Sequence, residues 1–344
     1  MRVTRHPPPD PGRHRNQNRA HAQAIPAANR RAEEIHVRNP EVKMKIALDP
    51  FMHRHLSLED LPGKVRELGY DWIELSPRGD FLEWFKAPRV FPERIRSFKK
   101  ALKDNGVGIA SLLPMYRWAS NDDAERRAAV KHWKRAIEIC VEMEVDTMNS
   151  EFGRGPHPDK GSCYCCHTGS MIEACEDAWW RSMEELVPLF EKNGINLHVE
   201  PHPEDWCETL QPALDIIRTV NSPRVKFLYC APHTFYFGDD TKAMLREAKD
   251  VLAHVHVGDT FNHKASSGLR YIVNPPGSFA RVHQHLNIGQ GEVPWDDFFG
   301  ALAEIGFDGI MTACVFAWED KADQSGTFMR KTMQDYIEKY WGSK

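Results

Sequence analysis

The residues best suited to chemistry in this chain stand where short apolar runs end. His198-Val199-Glu200-Pro201-His202 stops abruptly on a carboxylate, a proline and a histidine, the kind of ending at which an α/β protein places reactive groups. A carboxylate there can bind a divalent cation or move a proton, against the plainer alternative of a rim salt bridge. His254 and His256 share one face of His254-Val255-His256-Val257-Gly258-Asp259 through the period of two. His256 lies nearer the strand's end and is the better metal ligand, while His254 suits a deeper, hydrogen-bonded position. His233 closes Cys230-Ala231-Pro232-His233 and is either a ligand or a surface imidazole. Glu151 ends another run, and Arg154 follows it, placed to hold a substrate oxygen or to pair with a carboxylate. Glu200 beside a metal, with Glu151 across a substrate, could remove and return a proton next to a carbonyl.

Further candidates lie in loops. His283 and His285 alternate as on an extended segment and read as substrate-side or structural groups, and His202 is placed with them as a substrate contact. The stretch 260–294 is polar and glycine-rich, longer than an ordinary connection and suited to a lid. Trp72, Trp118, Trp206, Phe235, Tyr236 and Trp318 fall near strand ends, where an aromatic ring either stacks on a sugar face or simply packs. The cluster Cys163-Tyr164-Cys165-Cys166-His167 lacks the paired C-x-x-C spacing of a structural zinc knuckle and reads as a loop of free thiols.

These groups need a scaffold, and the hydrophobic pattern supplies one. Apolar runs predict strands over 45–50, 71–76, 108–114, 146–152, 196–202, 225–233, 252–259 and 309–316. Between and after them, apolar residues at three- and four-residue spacing predict helices over 58–68, 91–103, 122–143, 172–192, 209–220, 241–249, 295–305 and 322–340. Gly69, Gly106, Gly194 and Gly306 follow four of these helices as C-terminal caps. Eight βα units in 344 residues predict a closed (β/α)₈ TIM barrel. No Gly-x-Gly-x-x-Gly follows an early strand, against a dinucleotide-binding sheet. Loops entering strands are short and loops leaving them long, which gathers function at the C-terminal mouth.

The composition fits an enzyme-sized globular domain. With 45 basic and 49 acidic residues and a formal charge of −4, the chain has no bulk electrostatic attraction to nucleic acid or anionic membranes. No run of about 18 apolar residues is present, and the beginning lacks a signal-type apolar stretch, so cytoplasmic residence is the default expectation. Eight cysteines are scattered rather than densely framed, which predicts mostly reduced thiols. Residues 1–43 are rich in Arg, Pro, His, Asn and Ala without apolar periodicity and are expected to be disordered, with the barrel domain spanning 44–344.

Over about 44–340, three motifs carry a family resemblance: His198-Val199-Glu200-Pro201-His202, His254 to Asp259, and Gly289-Gln290-Gly291-Glu292-Val293-Pro294-Trp295. The chain resembles the xylose-isomerase-like barrels of the sugar phosphate isomerase/epimerase family, which includes D-tagatose 3-epimerase-like and inosose isomerase-like enzymes. The resemblance implies one divalent metal, foremost Mn²⁺ with Mg²⁺, Co²⁺ or Zn²⁺ as alternatives, held by residues of strands five to eight. Glu200 and His256 match two of those four positions, whereas Cys230 and the Thr312–Cys314 region stand where carboxylates are expected. His233 is then expected to complete the metal set, and Glu151 to share the acid–base work. The implied activity is metal-dependent sugar isomerisation or epimerisation through proton abstraction beside a carbonyl of a small carbohydrate. The resemblance extends to the large subunit of lyases that cleave C-glycosides of 3-oxidised sugars and work with a small β-rich partner. A metal-free sugar-binding barrel is the non-catalytic alternative, and a homo-oligomer is compatible with all three.

Overall fold

A computed structural model of the chain describes residues 44–76, 92–153, 169–203, 205–262 and 284–342. Arg154, the cysteines at 163, 165 and 166, His283 and the terminal stretch 1–43 lie outside the described residues.

Eight parallel strands close on themselves in sequence order. They are β1 Lys45–Leu48, β2 Trp72–Leu75, β3 Gly108–Leu112, β4 Thr147–Glu151, β5 Asn196–Glu200, β6 Val225–Cys230, β7 Leu252–Val257 and β8 Ile310–Ala313. The longer helices among the described residues are α1 Leu61–Glu67, α2 Pro92–Asn105, α3 Asp123–Met143, α4 Gly169–Asn193, α5 Leu210–Val220, α6 Thr241–Glu247, α7 Trp295–Glu304 and α8 Ala322–Trp341. The (β/α)₈ barrel expected from the apolar periodicity is therefore the observed fold. Its closing seam pairs Ala47 with Thr312 and Leu48 with Ala313.

Local chemistry explains why the elements start and stop where they do. Asp122 caps α3 by accepting from the backbone N–H groups of Ala124 and Glu125 at 2.9 and 3.0 Å, which satisfies donors that a helix start leaves open. Gly69, Gly106, Gly194 and Gly306 all adopt positive φ, between 62 and 87°, the left-handed turn that a residue without Cβ enters at little cost. The same turn ends α3 and α5 on Glu144 and Asn221 (φ 59 and 50°), where no glycine announced it. The strands are shorter than the apolar runs predict, β6 among them. That strand stops at Cys230, and Ala231–Thr234 forms a helical turn instead of more strand. Pro232 fits the start of such a turn because it has no N–H to lose there.

Helices cover the outside of the barrel, and their inward residues form one large core that includes Trp133, Phe190, Leu214, Phe298 and Met333. Trp118 and Trp133 stack at 4.1 Å between ring centroids, and both are fully buried. Trp206 is also buried, and its indole N–H donates to the Phe152 carbonyl at 2.9 Å. These two strand-end tryptophans thus pack rather than wait for a sugar. No helix among the described residues is long and apolar enough to cross a membrane.

Candidate functional site

Period-two alternation sends Glu200, Cys230 and His256 into the barrel from β5, β6 and β7, and pairing brings Cys230 level with His256. The helical turn after β6 adds His233. Glu200 Oε2 lies 3.2 Å from His233 Nδ1 and 3.4 Å from His256 Nδ1. Glu200 Oε2 and His256 Nδ1 are fully buried, yet neither completes a hydrogen bond of ordinary geometry. Cys230 offers its sulfur within the same space: one donor atom each from Glu200, Cys230 and His256 lie within 4.8 Å of one another, as do those of Cys230, His233 and His285. Buried carboxylate, imidazole and thiol donors gathered this closely suit a divalent cation.

The electrostatics follow from the same contacts. Burial alone would raise the pKa of Glu200, but the His233 and His256 rings hold it well below the usual carboxylate range. Burial pulls His233 down to about 4, against the opposing charge of Glu200. A neutral His233 keeps a lone pair available for a ligand role at ordinary pH. For His256 the outcome is reversed: burial disfavours its charge, but Glu74 and Glu200 on either side raise its pKa well above the ordinary imidazole value.

Glu74 is a central residue that the sequence motifs did not single out. From β2 its carboxylate reaches the middle of the barrel. It meets His256 Nε2 at 3.0 Å and His254 Nε2 at 3.0 Å. It also accepts from Ser111 Oγ at 3.2 Å, Asn149 Nδ2 at 3.2 Å and Thr312 Oγ1 at 3.0 Å. Burial would raise its pKa, but His256 and His254 hold it well below the usual range. One ring nitrogen of His256 is thus fixed by Glu74 while the other faces Glu200. This arrangement sets the orientation of a metal-binding imidazole. His254 occupies the deeper, hydrogen-bonded place expected of it.

A second carboxylate absent from the motifs, Asp49, stands just past β1. One oxygen accepts from the Phe51 N–H at 2.9 Å and from the Ser76 hydroxyl. The other faces the Cys314 thiol at 3.9 Å. Both Glu74 and Asp49 lie in or beside runs predicted as strands. The available signal was a lone acid alternating inward with apolar neighbours, which sequence alone cannot separate from an outward-facing one.

Of the remaining candidates, Glu151 pairs in register with Glu200, and its Oε1 lies 3.5 Å from His202 Nε2. The His202 ring in turn meets the His233 ring edge-on at 4.4 Å. Sequence-distant His285 joins the same group: its Nε2 is 3.3 Å from His233 Nε2, and its ring stacks on Phe316 at 4.3 Å. The barrel mouth therefore gathers Glu151, Glu200, His202, His233, His256 and His285.

The motif Gly289 to Trp295 has a structural explanation. Asp259, just past β7, accepts from the Gly289 N–H at 2.7 Å, the Val293 N–H at 3.1 Å and the Trp295 indole at 3.0 Å. A Cβ on Gly291 would run into the Thr260 carbonyl and the Asp259 carboxylate, so glycine lets the loop close on the acid.

With the barrel and this mouth in view, comparison with known proteins is specific. A family model described as xylose isomerase-like TIM barrel matches residues 62–332. The chain belongs to that family. Among the relatives of this xylose isomerase-like barrel is the inosose isomerase of Bacillus velezensis, 22% identical over 278 residues, covering 79% of this chain and 89% of the relative. Among solved structures, an IolI protein with a bound zinc atom superposes with a TM-score of 0.65 at 20% identity, covering 86% of this chain and 99% of the other. A D-tagatose 3-epimerase-like protein gives a TM-score of 0.66 at 18% identity, covering 87% and 99%. At these identities the superpositions establish the shared barrel.

Proposed function

We propose that this xylose isomerase-like barrel is a metal-dependent isomerase or epimerase of a small keto-sugar. The observation that supports this most directly is the meeting of Glu200 Oε2 with His233 Nδ1 and His256 Nδ1 at 3.2 and 3.4 Å, with Cys230 beside them. The relatives named for sugar isomerisation and epimerisation point the same way. Glu200, His233 and His256 would hold the ion, with Cys230 as a fourth donor. A thiolate beside two imidazoles favours zinc over manganese, and a structural relative carries zinc.

When bound, the ion would draw charge from a substrate carbonyl and make the neighbouring C–H acidic. The protein's own part is to place that C–H against a carboxylate. Glu151 is the candidate on the β4 side, where His202 borders its oxygen. His202 and His285, at the rim of the donor cluster, are placed to hold sugar hydroxyls, and Arg154 and His283 are proposed to assist. Glu74 keeps His256 turned toward Glu200.

The test is metal analysis of purified protein together with solvent deuterium exchange into a panel of keto-sugars. Wild-type protein should hold close to one equivalent of metal and exchange the proton beside the carbonyl, and Glu200→Ala and His256→Ala should lose both. Unchanged metal content in both variants removes the site. Metal-bound protein that exchanges nothing removes the enzymatic assignment and leaves a sugar-binding barrel. Co-purification of a small β-rich subunit, with cleavage of a C-glycoside, would reassign the protein to the lyases.

A further inference from the structure

Interconverting two configurations at a carbon needs proton transfer on both faces of the substrate, and Glu151 serves only one side of the barrel. The carboxylates around the mouth differ sharply in how their oxygens are used. Glu74 is saturated by five groups from β3, β4, β7 and β8. Asp259 is consumed by the loop it closes. Glu200 is turned to His233 and His256. Unlike these three, Asp49 combines a fixed oxygen with an uncommitted one. Its Oδ1 is anchored by Phe51 N–H and the Ser76 hydroxyl, while Oδ2 meets only a thiol at the long distance of 3.9 Å among the described residues.

Its placement is equally telling. Ala47 is level with Thr312 of β8, whose hydroxyl donates to Glu74 inside the barrel, so Asp49, two residues on, shares that inward side. It is 1% exposed, comparable to Glu200 and His256 at 2% each. In a closed ring of eight strands, β1 lies across the lumen from the β4–β5 wall that carries Glu151 and Glu200.

We propose that Asp49 is the second proton-carrying carboxylate of this site, exchanging a proton through Oδ2 with the carbon beside the substrate carbonyl, on the face opposite Glu151. The inference rests on the keto-sugar isomerase reading above. In the forward step the C–H bond breaks, its proton forms an O–H bond on Asp49, and the electron pair becomes the C=C of an enolate. Glu151 then gives a proton to the other face and the carbonyl re-forms. The two carboxylates exchange roles in reverse, and no external oxidant or reductant is needed. The groups facing Asp49 are Glu74 from β2 and Ser76 just past it, His256 from β7, Cys314 just past β8 and the Phe51 amide of the adjoining turn. Burial, followed by the charge of Glu74, raises its pKa to about 7, close to the range in which a carboxylate both takes and gives a proton near neutral pH.

The experiment uses full-length, metal-loaded protein and deuterium exchange into whichever keto-sugar the wild type turns over. Asp49→Asn keeps the side-chain shape and acceptors for Ser76 and Phe51. Exchange should fall by roughly 10²-fold or more, while metal content and keto-sugar affinity stay at wild-type levels. The wild-type rate should show a pH limb near neutrality that the variant lacks. Exchange at the wild-type rate, or a loss of exchange accompanied by loss of metal, overturns the role. If Asp49→Asn does not fold, Ser76→Ala replaces it. Removing a hydrogen bond that lowers the Asp49 pKa should move the limb to higher pH, and an unmoved limb overturns the role. Wild-type protein that exchanges no keto-sugar removes the isomerase reading itself, an outcome distinct from wild type and Asp49→Asn exchanging equally.

Discussion

At the scale of single residues, the site is set by how buried carboxylates and imidazoles are paired. Glu74 holds His256 through Nε2 and leaves Nδ1 toward Glu200. Glu74→Gln preserves the shape but removes the charge that orients this ring. Metal affinity measured by equilibrium dialysis is expected to weaken roughly 10- to 100-fold, and unchanged affinity would show that His256 needs no such support. Asp49 gives a stability prediction in the metal-free protein. Its pKa is about 7 when folded and 3.8 as the ordinary value, so between those limits the folded chain keeps a proton that the unfolded chain releases. The residue's effect on stability therefore grows unfavourable as pH rises through that window and is complete above it, on the order of a few kcal/mol. Thermal melts from acid to neutral pH should show Asp49→Asn losing part of the wild type's pH dependence; parallel curves would contradict the raised pKa.

At the scale of elements, the mouth is shaped by how strands end. Cys230 ends β6 with a helical turn that swings His233 back over Glu200, a change of direction that the apolar run 225–233 did not reveal. Asp259 ties the loop to the start of α7 by accepting from the Gly289 and Val293 N–H groups and the Trp295 indole, and Gly291 makes room for that contact. Gly291→Ala should therefore destabilise the protein by about 1–3 kcal/mol, read as a lower denaturant midpoint with unchanged m-value. An unshifted midpoint would show that the loop can relax around the added methyl. The strands and helices were legible because each carries its own periodicity. Glu200, His233 and His256 were legible because they close apolar runs. Glu74 and Asp49 were not, because their meaning comes from Ser111, Asn149, His254, Thr312 and Cys314, which approach from distant parts of the chain.

At the scale of the whole molecule, residues 1–43, rich in Arg, Pro, His, Asn and Ala without apolar periodicity, offer little to a hydrophobic core. A chain beginning at Met44 should melt within about 2 °C of the full-length protein, and a larger drop in a calorimetric scan would mean that the terminal stretch supports the barrel. The Glu74 carboxylate has a consequence for the barrel as a body. It rises from β2 and bonds side chains of β3, β4, β7 and β8, so a single buried charge joins five of the eight staves. An ion gripping His256 would stiffen that junction from its far side. Amide protons of Ser111 and Thr312, whose side chains touch the carboxylate rather than the ion, should then exchange more slowly with solvent once metal is added. Occupancy of the mouth would thus be felt as slower breathing of the walls beneath it.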